Sequence, residues 1–135
     1  MPNTDAFSFK PIRKKVIFND DQDRVVGSLK DSLEKKSYTP FLLHGVTGSG
    51  KTEIYIEAVK YCLSQGRTSI ILLPEISLTP QIAGRFKSVF GAKVALWHSK
   101  LTQKQRSLTW KEICKGTFKV IIGARSALFS PLKNL

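Results

Sequence analysis

The stretch Phe41-Leu42-Leu43-His44-Gly45-Val46-Thr47-Gly48-Ser49-Gly50-Lys51-Thr52 decides how this chain is read. Its first four residues have the apolar character of a short buried strand. The next eight fit the spacing G-x-x-x-x-G-K-[ST], and a helical pattern follows over residues 51–65. Strand, glycine-rich loop and helix in that order form a phosphate cradle. Glycines let the backbone wrap so that successive N–H groups face phosphate oxygens, and the helix N-terminus adds positive potential. In that reading Gly45, Val46, Thr47, Gly48, Ser49 and Gly50 hold the phosphates of a nucleoside triphosphate. Lys51 reaches its β and γ phosphates, and Thr52 offers its hydroxyl to Mg²⁺. The plainer alternative is a glycine-rich turn with an incidental lysine.

Working outward, the pattern alternates. Asn19 can cap a helix whose first turn holds Asp20, Asp21 and Asp23, where the helix dipole favours anions; Val25, Val26, Leu29 and Leu33 then form one apolar stripe. After residues 51–65, Thr68–Leu73 reads as a strand. Thr79 can cap a helix with Pro80 at its first position, and Ala92–Trp97 reads as a strand. Thr102 and Gln105 form a capping box for a helix to about Lys115, and Phe118–Ile122 reads as a further strand. Gly66, Gly91 and Gly116 fall at 25-residue intervals between a helix and the next strand. That is the cadence of βα units and predicts an α/β fold: a parallel sheet with flanking helices, carrying the P-loop. Residues 1–18 read as an irregular lead-in arm, and residues 19–135 as part of one such domain.

The 135 residues carry 22 Lys+Arg against 10 Asp+Glu, a formal net charge of +12. The excess is uneven: residues 1–57 hold 9 basic and 8 acidic side chains, residues 58–135 hold 13 basic and 2 acidic ones. A basic segment that keeps its apolar periodicity points to an anionic partner, nucleic acid foremost, although a merely soluble basic surface is the bland alternative. The apolar fraction of 41% excludes intrinsic disorder, and the apolar runs are too short to cross a bilayer. No secretory signal is visible, so a cytoplasmic location is expected. Cys62 and Cys114 form no CxxC pair; both read as buried free thiols in predicted helices. His44 and His98 read as structural.

Hydrolysis of a nucleotide needs acids for the metal and for the attacking water. Beyond the P-loop helix the only carboxylates are Glu75 and Glu112. Pro74 occupies the strand-end position where a metal-binding aspartate belongs, and Glu112 reads as a solvent-facing residue in mid-helix. The metal-and-water half of a catalytic site is therefore expected to be missing from this chain.

Several segments together resemble the PriA (primosomal protein N′) family of replication-restart helicases, in superfamily 2. Phe41 to Glu53 looks like that family's motif I. Leu72-Leu73-Pro74-Glu75-Ile76-Ser77-Leu78-Thr79-Pro80-Gln81 looks like its motif Ia, and Val120-Ile121-Ile122-Gly123-Ala124-Arg125-Ser126-Ala127-Leu128-Phe129 like its motif Ib. His98-Ser99-Lys100-Leu101 is similar to its His-Ser element, and Phe18-Asn19-Asp20-Asp21-Gln22 to the glutamine element ahead of motif I. The resemblance covers residues 16–135. There are departures: Ala124 stands where the family usually has threonine, removing one possible phosphate contact, and Trp97 where it usually has leucine.

The resemblance implies an ATP-driven 3′-to-5′ DNA helicase acting at stalled forks, with ATP and Mg²⁺ as cofactors. Single-stranded or forked DNA and primosome proteins would be its partners, and no membrane. It implies that Gln22 reads the adenine edge, although a surface glutamine in a helix's first turn remains the alternative. It implies that Pro74, Glu75, Thr79, Gln81, Arg85, Gly123, Arg125 and Ser126 face single-stranded DNA, with Thr79 equally readable as a helix cap. The family's Asp-Glu-Glu-His motif, zinc-binding cysteines and second motor domain have no counterpart in these residues, so the chain reads as a truncated first motor domain, inactive alone. The resemblance also implies a P-loop NTPase (RecA-like) parallel sheet, incomplete here, in which strands beyond that motif lie between the P-loop strand and the motif Ia strand. Two other functions compete: a non-catalytic basic fragment that binds nucleic acid and ATP, and a small P-loop kinase or NTPase.

Overall fold

A computed structural model describes residues 18–35, 38–44, 50–74, 77 and 79–135. The chain divides into two units, one ending at Gln65 and the other comprising residues 66–135.

The first unit is built on two helices, α1 (Asp20–Glu34) and α2 (Lys51–Ser64). Asn19 caps α1 as its sequence predicts: its Oδ1 accepts from the Gln22 amide at 2.9 Å, and the Gln22 Oε1 accepts in return from the Asn19 amide at 3.0 Å. This reciprocal box satisfies two of the donors that a helix start leaves without intrahelical partners. The helices lie against each other. Tyr61 donates its hydroxyl to Glu34 at 2.9 Å, and Lys30 sits 5.9 Å from the centre of the Tyr61 ring. Partial burial, then the neighbouring Glu34, holds the Tyr61 phenol above its ordinary range.

The second unit is the α/β sheet. Its strands are β1 (Ser69–Leu72), β2 (Val94–Trp97) and β3 (Val120–Gly123), all parallel, in the order β1-β3-β2. Central β3 is buried along its whole length, as a strand covered on both faces should be. The side-chain period of two sends Ala95 and Ile121 to one face, where they pack with Ile113 of α4 (Gln103–Lys115), Phe118 and Ala127. Val94, Leu96, Val120 and Ile122 alternate with these and are equally buried. Helix α3 (Pro80–Phe90) packs beside β2 and buries Ala83, Phe86 and Phe90. Each aliphatic side chain removed from water in this way contributes about 1.5–3 kcal/mol.

The caps follow the sequence. Thr79 accepts from the Ile82 amide at 3.3 Å with Pro80 at the first position, and Thr102 and Gln105 close a box on α4 at 3.1 and 2.8 Å. Gly66, Gly91 and Gly116 have φ of 72°, 59° and 84°, conformations that let the chain leave each helix and turn back.

Three expectations need correction. Residues 41–44 form no strand: Phe41 is 49% and Leu42 91% exposed, and no described segment pairs with them. An apolar run becomes a strand only when a neighbour takes up its N–H and C=O groups, and the three-stranded sheet is built without it. Cys114 is exposed and Cys62 half-buried, because Ile113 takes the inward position on α4. Glu112 does not simply face solvent. Its side chain is 20% exposed, accepts from the Thr117 hydroxyl at 2.8 Å and lies 3.4 Å from the Lys115 ammonium. The Thr117 hydrogen bond, together with Lys115, outweighs partial burial and holds its carboxyl below the usual range.

Candidate nucleotide and nucleic-acid sites

The first unit brings Gln22 to the start of α2. Gly50 opens that helix at φ 84°, a left-handed conformation that disfavours any side chain. A Cβ at this position would run into the Gln22 side-chain amide. Gly50 is thus required twice, for its backbone angle and for the space that Gln22 fills. Gly50 itself supplies no side-chain cap to α2. Lys51 and Thr52 follow in the first turn, both half-buried. Gly45, Val46, Thr47, Gly48 and Ser49 lie outside the described residues.

The second unit has its own concavity. Strand register places Leu72, Gly123 and Trp97 side by side at the carboxyl ends of β1, β3 and β2. Just beyond them opens a groove of about 1050 Å³ lined by Leu73, Pro74, Ala124, Arg125, Ser126 and Phe129, among others. Loops at this end of a parallel sheet are where α/β proteins bind ligands. Pro74 and Arg125–Ser126, far apart in sequence, both line this groove. The backbone explains how: Leu73 donates to the Gly123 carbonyl at 2.9 Å, carrying the β1–β3 pairing one residue onward, and Ala127 donates to Ala124 at 2.9 Å to start the short 3-10 turn Arg125–Phe129.

Gly123 is the hinge of this arrangement. A Cβ there would overlap the Trp97 carbonyl oxygen and lie 3.0 Å from the Cβ atoms of both Ala127 and Trp97. Only glycine lets β2, β3 and the following turn approach so closely.

The other predicted contacts lie elsewhere. Thr79 serves as the α3 cap, Gln81 is exposed in the first turn of α3, and none of Thr79, Gln81 and Arg85 lines the groove. Arg85 donates to the Ser88 hydroxyl at 3.1 Å within its own helix. Glu75 lies outside the described residues. His98 is buried, and its Nδ1 accepts from the Lys100 amide at 3.2 Å, a structural role that orders the turn before α4. No group of three or more His, Cys, Asp or Glu side chains able to hold a metal ion is present among the described residues.

Two features were not read from sequence. The groove is more apolar than a phosphate track needs: Leu72, Leu128 and Phe129 are 44%, 58% and 77% exposed. Trp97 donates its indole N–H to the Ser126 hydroxyl at 3.1 Å, so the residue that departs from the family pattern holds one of the motif residues. Its unusual identity was visible in sequence; its partner was not.

The family model described as "Type III restriction enzyme, res subunit" matches residues 15–135. Replication restart protein PriA of Bacillus subtilis is 44% identical over 116 residues, covering 86% of this chain and 14% of that protein. The PriA of Chlamydia pneumoniae is 41% identical over 131 residues, 97% of this chain and 17% of that protein. The PriA of Synechocystis is 47% identical over 103 residues, 76% of this chain and 12% of that protein. The chain thus spans a small part of the length of these relatives. No described helix is long and apolar enough to cross a membrane. With the model matching nearly every residue from the start of α1 to the end of the sheet, the chain belongs to the type III restriction enzyme res subunit family, a family with the P-loop helicase fold, and its similarity runs to one segment of the replication restart proteins PriA.

Proposed function

We propose that this chain is the segment of an ATP-dependent 3′-to-5′ replication-restart DNA helicase that carries the phosphate-binding loop and two DNA-facing motifs. One observation carries the reading: Pro74 and Arg125–Ser126 line a single groove at the carboxyl ends of neighbouring parallel strands. The Gly50–Gln22 packing supports the nucleotide half. A glycine-opened helix N-terminus suits a phosphate, and Gln22 stands beside it with a side-chain amide. The Gln22 Oε1 already accepts from Asn19, but a carbonyl oxygen has two lone pairs, so the cap and an adenine amino group can share it.

In this reading Gly45 to Gly50 wrap the triphosphate, Lys51 neutralises its terminal oxygens, and the Thr52 hydroxyl holds Mg²⁺. The metal ion supplies charge stabilisation when bound. Arg125 and Ser126 grip the phosphate backbone of single-stranded DNA, giving little sequence preference. Gly123 sets their position without touching the ligand. Thr79, Gln81 and Arg85 are proposed as further DNA contacts at the edge of α3, with Thr79 serving also as cap, and Glu75 beside them. Primosome proteins and forked DNA are proposed partners of the whole protein. Zinc is proposed only for other parts of such proteins, and a cytoplasmic location follows from replication work.

A second reading, binding without turnover by this chain alone, is favoured by Glu112. It is one of two acids after the P-loop helix, and it is committed to Thr117 and Lys115. Turnover then requires carboxylates from outside these residues. The test is ATP hydrolysis with and without single-stranded DNA, beside DNA binding by anisotropy. Salt-sensitive DNA binding without turnover is expected, and DNA-independent phosphoryl transfer to a small acceptor would overturn the helicase reading in favour of a kinase.

A further inference from the structure

Both tryptophans of the chain meet on the second unit. The Trp97 and Trp110 rings lie 5.7 Å apart, tilted by 55°. They line a shallow groove of about 330 Å³ with Arg106, Ser107 and Lys111. Trp110 is 38% exposed, so part of its ring faces solvent in a position that an apolar core would normally claim. The surroundings are cationic: Lys104, Arg106, Lys111 and Lys115 stand on α4 against the single acid Glu112, which Lys115 already faces. The groove is also tied to the proposed DNA contact, because Trp97 donates to the Ser126 hydroxyl at 3.1 Å. A hydroxyl that accepts from one side can donate from the other, so Ser126 can hold an indole and a phosphate oxygen at once.

We propose that Trp97, Trp110, Arg106 and Lys111 form a stacking subsite for one base of a single-stranded nucleic acid whose phosphates pass over Arg125 and Ser126. A π-face flanked by cations and opening to solvent is the combination that single-strand binders use. Stacking is tolerant of sequence because every base has a π-face, and arginine adds a cation–π contribution. A volume near the lower end of ligand clefts suits one nucleobase with its sugar. The inference rests on the reading of Arg125 and Ser126 as phosphate contacts and adds to it a contact with bases.

Two oligonucleotides of equal phosphate count separate the two contacts: fifteen-residue dT and its abasic sugar–phosphate counterpart, titrated into the 135-residue chain. Saturable quenching of tryptophan emission by the dT oligomer and none by the abasic one is the expected result. Trp110→Ala should weaken dT binding about tenfold, leave abasic binding unchanged, and be rescued in large part by Trp110→Phe. Equal quenching by both oligomers, or equal loss of both affinities in Trp110→Ala, overturns the stacking subsite while the phosphate reading stands. Failure of both oligomers to bind overturns both readings. Should Trp110→Ala not fold, the quenching comparison on the unsubstituted chain decides alone.

Discussion

Among the described glycines, substituting Gly123 by alanine should damage this fold most. The added carbon would sit on the Trp97 carbonyl oxygen and 3.0 Å from two further Cβ atoms. That oxygen belongs to the backbone of the adjacent strand, locked by four-residue pairing to β3, and it accepts from Ala124 at 3.3 Å. It cannot swing aside as a flexible side chain would. Overpacking a core costs about 1–3 kcal/mol, and prising β2 from β3 removes about 1 kcal/mol of hydrogen bonding as well. A loss of about 3 kcal/mol is therefore expected from these terms. Urea unfolding followed by tryptophan emission reads this unit directly, since Trp97 and Trp110 both lie in it. With a slope of about 1.5 kcal/mol/M, the midpoint should fall by about 2 M, or the variant should be unfolded without urea. Gly66→Ala is the control. Its φ of 72° is strained for alanine, but nothing lies within 4 Å, so about 1 kcal/mol is expected. A Gly123→Ala midpoint indistinguishable from the parent, or above that of Gly66→Ala, would refute the reasoning.

Other perturbations address separate parts. Thr102→Ala removes the hydroxyl that accepts from Gln105 and should cost about 1 kcal/mol by the same urea assay. Thr117→Val removes the hydrogen bond that chiefly holds the Glu112 carboxyl down. A carboxyl depressed in the folded state contributes stability that is present above its unfolded value, about 4.3, and is lost as pH falls through its folded value. The variant should therefore be less stable than the parent at neutral pH, with the gap closing under acid; a gap that persists at pH 2 would speak against this coupling. Arg125→Ala should weaken single-stranded DNA binding alike for all sequences and lessen the salt slope by about 0.7, and an unchanged slope would remove Arg125 from the phosphate contacts.

Local chemistry made much of the fold legible in sequence. Asn19, Thr79 and Thr102 start helices because each side-chain oxygen meets an amide three residues ahead, a distance the sequence itself specifies. The β-branched and aliphatic runs of β2 and β3 carried their burial with them, whereas β1 stays half-buried. Phe41–His44 did not become a strand, because pairing is supplied from elsewhere in the chain and no local residue encodes it. At the candidate sites, the glycine-rich motif pointed to Gly50 and the family resemblance to Gln22, and only the fold brought the Gln22 amide against Gly50. Trp97 was visible as an odd residue, but its bond to Ser126 spans two strand ends and could not be read along the chain. Glu112 was misjudged for a related reason: Thr117 lies past the helix stop at Gly116, whose turn returns it to the carboxylate.

Most depends on whether the glycine-opened start of α2 binds the phosphates of a nucleotide. Isothermal titration of Mg·ATP into the chain tests it most directly, beside Lys51→Ala. Saturable binding that Lys51→Ala abolishes, and that AMP without its outer phosphates cannot reproduce, is the predicted result. Binding that is absent, or that Lys51→Ala leaves intact, would contradict it.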